Sequence, residues 1–177
     1  MTESSRSSMA AVLSVIMTVL MWVLAVGGGL IFVIFGFGYL ASLSGGEITT
    51  PVVSTFVDGF SSNRILLMML GIAAPVTVAV YICAQVRKIL STLAMGDPFV
   101  PENASRLRKI AIAVAVMESL RYLAMLLALT LPNVGEVEKA PSLLPNVAAV
   151  VAILVLFVLA QVFKEGARLR AEEKMTI

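Results

Sequence analysis

Apolar residues fill four long stretches of the chain, Met9–Leu43, Ile65–Leu93, Ile110–Leu131 and Leu144–Phe163. Each runs for about twenty residues or more without helix-ending punctuation, the length that crosses a ~30 Å hydrocarbon core. A segment in lipid must satisfy its own backbone hydrogen bonds, so each stretch predicts a transmembrane helix. With their flanks, the predicted helices cover roughly 9–43, 65–93, 104–131 and 144–170, and a polar tail spans 164–177. The first is long for one span and is expected to tilt, or to project beyond the bilayer after its glycines. The fold class predicted is all-α, a polytopic membrane protein with four transmembrane helices in a bundle, residues 1–177 forming a single domain.

Composition strengthens this reading. Of the 177 residues, 59% are hydrophobic and 14% charged, against roughly 45–50% and ~25% in soluble domains. Only Arg6 is basic before the first apolar stretch, which is far longer than the core of a cleavable signal, so a retained first helix is expected. Cys83 is the single cysteine and there is no histidine, so no disulfide framework exists and a zinc or haem site would lack its usual ligands. The ten methionines are scattered, as gap-fillers in apolar packing are. Gly27-Gly28-Gly29 lies inside an apolar helix and lacks the Lys-Ser/Thr of a phosphate loop. An enzyme would have to work with Glu118, Arg121, Asp58 and loop acids; no catalytic residue, cofactor or metal is expected.

The connections differ in charge. Arg87, Lys88, Arg106, Arg108 and Lys109 flank the second connection, and Lys164, Arg168, Arg170 and Lys174 follow the last helix. The first and third connections hold only Arg64 and Lys139. Lys and Arg are retained on cytoplasmic flanks, which predicts cytoplasmic N- and C-termini and a cytoplasmic second connection. The basic collar would also attract anionic lipids, and no direct nucleic-acid binding is expected. The two outer connections, EITTPVVSTFVDGFSSN and PNVGEVEKAPSLLPN, favour turns and irregular backbone and are read as solvated connectors. Ala25, Gly29 and Gly36, and Ala148 with Ala152, form small-residue stripes suited to close helix contact. Pro75 should kink the second helix.

Glu118 and Arg121 form the internal charge pair of the third helix. Three positions apart, they share a face and can pair. Each charge costs about 2.5–3.5 kcal/mol at mid-membrane on insertion scales, so the pair should face the interior of the bundle. It is either a functional site, such as an ion relay or a ligand's counter-ions, or a clamp that sets how the helix packs. Gln85 and Gln161, near the cytoplasmic helix ends, can hydrogen-bond between helices.

The second connection reads GDPFVPENASRLRKI, from Gly96 to Ile110. Gly96 suits a left-handed helix end, and Asp97-Pro98 a turn. Phe99 has no partner in its own loop. Pro101 fits the first position of a helix, and Glu102 its first turn. Asn103 belongs to that first turn or is itself the N-cap.

Gly-x-Pro-Phe-x-x-Glu-Asn followed by Arg-Leu-Arg-x-Ile-Ala resembles the cytoplasmic signature of a bacterial four-helix membrane family, domain of unknown function 2975. The closing residues, with Gly166, Leu169, Glu173 and the hydrophobic-Thr-aliphatic end Met175-Thr176-Ile177, resemble that family's terminus. Lys174 departs from it, standing where an acid is expected. The resemblance implies a bacterial inner-membrane protein, typically encoded beside a small Cro/CI-type helix-turn-helix regulator that it would tether or inhibit. The turn residues Gly96, Pro98, Phe99, Glu102, Asn103 and Leu107 and the tail would then form a docking surface. Apolar contact would come from Phe99, Leu107, Leu169 and Met175–Ile177, and Glu102, Glu165, Glu172 and Glu173 would face a basic partner. In another reading, the motif only folds the loop against the tail. The alternative function is a small transporter or channel that uses Glu118 and Arg121 inside a homo-oligomer.

Overall fold

The computed structural model describes residues 3–45, 51–57, 59–130 and 146–175. They form five helices: α1 (Glu3–Ser44), α2 (Pro51–Val57), α3 (Ser62–Ala94), α4 (Pro101–Thr130) and α5 (Val147–Met175). No strand occurs among the described residues. Four helices are long and apolar enough to span a bilayer, over Ala11–Ser44, Ser62–Ala94, Pro101–Leu127 and Val147–Glu173. Their surfaces carry exposed Val12, Trp22, Leu70, Leu123 and Leu154. Continuous apolar exposure of this kind suits lipid, and the chain is a multi-pass membrane protein.

The helices run further into the polar flanks than the apolar pattern predicts. α4 starts at Pro101 rather than 104, because Pro101 supplies a ready-made first-turn φ. α5 starts at Val147, where Asn146 caps it by accepting the Ala149 N–H, and continues to Met175. Most of the segment read as a tail is therefore helix. Its Ala, Leu, Arg, Glu and Lys are strong helix formers, and Arg168 pairs with Glu165 and Glu172 one turn away on each side. Thr176, Ile177, Asp58 and the connection holding Lys139 lie outside the described residues.

Contacts divide the chain into two compact units. One contains Leu24–Thr77 and Met117–Leu144. Its core corrects the expectation of an irregular first connection. Pro51 opens α2, and the i, i+4 pair Val53 and Val57 packs with Ile65 under Ile34, Phe35, Tyr39 and Phe60. A seven-residue helix is marginal alone, so this packing holds it. The Ser42 and Ser62 hydroxyls hydrogen-bond at 2.9 Å, and Arg64 lies 4.2 Å over the Phe60 ring. The close helix approaches fall at glycines other than those of the predicted stripe. A Cβ at Gly28 would lie 2.4 Å from Val76 and one at Gly38 2.8 Å from Val57, whereas Gly29 faces open space and Gly36 only touches Met69. α3 continues through Pro75.

The other unit contains Met1–Val23, Val78–Val116 and Pro145–Ile177. Its buried positions are mostly small or polar: Cys83, Gln85, Thr92, Asn103, Ala104, Ala111, Ala160 and Ala167, with Ile110. Small side chains let helix backbones approach where lipid gives no hydrophobic drive.

Candidate functional site

The turn between α3 and α4 is a folded element. Gly96 has φ 80°, a conformation that only glycine adopts readily. The Asp97 N–H reaches the Thr92 carbonyl and the Gly96 N–H the Leu93 carbonyl, both at 3.1 Å. This double closure is the Schellman arrangement, which satisfies the last carbonyls of α3.

Asn103 is fully buried and ties the turn together. Its Nδ2 donates to Thr92 Oγ1 at 2.7 Å and to the Pro98 carbonyl at 3.0 Å. Its Oδ1 accepts from Arg106 at 2.8 Å, and Arg106 also donates to the Lys88 carbonyl at 3.1 Å. Thr92 donates its hydroxyl to the Ile89 carbonyl at 2.7 Å, leaving its oxygen to receive Asn103. Asn103 is thus the third helical residue and a cross-link between α3 and α4, not the N-cap. Arg106 belongs to the same network rather than only to a lipid-facing collar.

Phe99 leaves the turn toward α5. Its ring lies 5.5 Å from that of Phe163, tilted by 45°. It also covers Gly166, where a Cβ would come 2.6 Å from Phe99 Cδ1. One turn on, Arg170 forms an ion pair with Asp97. Both of these side chains are half-buried and reached by solvent, so the pair adds orientation more than stability, about 0–1 kcal/mol. Turn and α5 meet through Asp97 and Phe99 on one side and Phe163, Gly166 and Arg170 on the other. Three of these, Asp97, Phe163 and Arg170, were not singled out by spacing; the signal was Gly166, a glycine inside a charged helix, where it costs about 1 kcal/mol unless something needs the space.

The remaining predicted residues separate. Glu102 is exposed in the first turn of α4 and Leu107 is half-buried. Leu169 is 56% exposed, and Glu173 is also exposed. Glu118 and Arg121 lie in the other unit. Arg121 Nε donates to Glu118 Oε2 at 3.0 Å and its terminal nitrogen to the Tyr122 hydroxyl at 3.1 Å, with the guanidinium 4.7 Å over the Tyr122 ring. Both charges are half-buried and matched within one helix turn. Gln85 is buried, and Gln161 is exposed on α5. Among the described residues no group of His, Cys, Asp and Glu is placed to hold a metal ion.

No curated protein and no solved structure matches the chain. The family model described as "Protein of unknown function (DUF2975)" matches residues 46–177. That region holds α2 to α5 and every residue of the turn and its α5 contacts. The chain belongs to the DUF2975 family.

Proposed function

We propose that this non-enzymatic protein of the bacterial inner membrane holds a small helix-turn-helix regulator at the cytoplasmic face, and so keeps it from its DNA. The proposal includes cytoplasmic termini, in keeping with the basic residues around the α3–α4 turn and on α5. The observation that carries it is the end of α5. It is held to the turn by Phe99 and Asp97, and it displays Leu169 among Glu165, Glu172 and Glu173. Positions i, i+4, i+7 and i+8 share one helix face, so this stripe surrounds one exposed apolar side chain and keeps a net negative charge even with Glu165 and Glu172 paired to Arg168. A singly exposed leucine is ordinary on a surface, so support for docking comes from its place among acids in a segment that carries the family resemblance. Phe99 serves this role indirectly, by holding α5. The choice of a helix-turn-helix protein rests on the family resemblance, and the acidic stripe complements a basic partner.

The test is co-purification of the full-length protein with the regulator encoded beside it. Leu169→Lys should abolish capture while leaving helix content and thermal stability unchanged. Capture that survives Leu169→Lys would overturn the docking surface. Substrate flux lost in Glu118→Gln, with no regulator captured, would instead establish the transporter reading.

A further inference from the structure

A second face of α5 borders an open groove of about 710 Å³ shared with the start of α4. Its lining repeats at helical spacing, with Ala104, Ser105 and Arg108 on α4 and Phe157, Gln161 and Lys164 on α5. Ala160 and Ala167, both buried, keep the groove deep by holding the backbones close. Arg168 also lines it, but Glu165 and Glu172 neutralise that guanidinium. Arg108 and Lys164 are exposed, and no acid pairs with either among the described residues. The groove therefore has uncompensated positive charge, with the Ser105 hydroxyl and Gln161 amide as further donors.

The charge is graded along the groove. Phe157 is seven positions from Lys164, about 10 Å deeper into the apolar span at 1.5 Å per residue. One end is cationic and hydrogen-bonding and the other aromatic and apolar, and the helices that form it are membrane spans. We propose that this groove binds an anionic phospholipid of the surrounding bilayer. Its phosphodiester meets Arg108 and Lys164, and the start of an acyl chain runs along Phe157. A soluble anion would use the cationic end and leave Phe157 idle. Basic clefts between membrane helices at the polar boundary are suited to anionic headgroups. The site is distinct from the Leu169 stripe and stands whether or not a regulator docks there.

The experiment titrates the full-length protein, in mild detergent, with short-chain phosphatidylglycerol and with phosphatidylcholine of the same chain length, and counts bound lipid by native mass spectrometry. Phosphatidylglycerol should be retained preferentially. Binding should fall at least about tenfold in R108Q/K164Q, as expected for loss of two cations at a membrane boundary. The control R87Q/K88Q removes the same charge from exposed positions on α3 outside the groove and should leave binding unchanged. Ser105→Trp, which fills the groove without altering charge, should also abolish retention and serves if R108Q/K164Q does not fold. Equal loss in R87Q/K88Q, equal retention of phosphatidylcholine, full competition by inorganic phosphate, or unchanged binding in Ser105→Trp would each overturn the proposal.

Discussion

Phe99 occupies the space that Gly166 leaves open. A methyl group at 166 would lie 2.6 Å from Phe99 Cδ1 and 2.8 Å from Cε1, closer than carbon atoms approach. Gly166 is inside α5, where alanine would favour the helix by about 1 kcal/mol, so the glycine is kept for the ring. Gly166→Ala should therefore lower thermal stability, because overpacking costs about 1–3 kcal/mol. In a Phe99→Ala background the same change should raise it. The sign reversal, read as melting temperature across the four variants in one detergent, is the check. A Gly166→Ala effect that is equal in both backgrounds would mean that the ring does not press on α5.

Asn103 uses both amide hydrogens and its carbonyl in a buried site, so its loss takes one bond each from Thr92, Pro98 and Arg106, although Thr92 keeps the Ile89 carbonyl and Arg106 the Lys88 carbonyl. Each buried polar group deprived of its partner costs about 1–3 kcal/mol. Asn103→Ala should destabilise by at least that range, and Asn103→Asp comparably, since a carboxylate would face the Pro98 carbonyl. Thr92→Val should cost less, because Asn103 keeps two of its three bonds. Chemical denaturation of the three variants tests this order, and Thr92→Val proving the most damaging would refute it.

The four spans were legible because hydrophobic length is a direct demand of the bilayer. Gly96 was legible too, since its conformation depends on local backbone alone. For Asn103 the first-turn position was legible, and the N-cap alternative stayed open because one of its partners, Thr92 on α3, lies 11 residues earlier. The Asp97–Arg170 pair joins residues 73 apart, and topology accounts equally well for Arg170 by itself. α2 escaped because Pro, Ser and Thr in its sequence, with Gly59 just after it, read as turn formers, while its helix depends on Val53 and Val57 finding Ile65. Motifs fixed by backbone could be read; motifs fixed by a distant partner could not.

Gly38 and Val57 give a matched test in the other unit. Val57 is 1% exposed, and a Cβ at Gly38 would come 2.8 Å from its Cγ1. Gly38→Ala should destabilise by about 1–3 kcal/mol through overpacking. Val57→Ala should relieve the clash, so the double variant should be more stable than the sum of the single effects predicts. Thermal melting of the cycle measures this coupling. Strict additivity would mean that α1 and α2 do not meet at this point.

Glu118 and Arg121 are each half-buried and each compensated by the other at 3.0 Å, inside a helix apolar enough to span the membrane. Arg121 keeps a second partner in the Tyr122 hydroxyl, which Glu118→Gln would not remove. A single substitution leaves a net charge in the span, at about 2.5–3.5 kcal/mol on insertion scales, whereas removing both leaves none. The double variant E118Q/R121Q should therefore insert and accumulate in membranes better than either single variant. Membrane-fraction yield and detergent melting of the three variants give the order. If the pair is a clamp, regulator capture should survive in E118Q/R121Q once the protein is folded. A double variant less abundant than both singles would show that these charges serve something beyond each other.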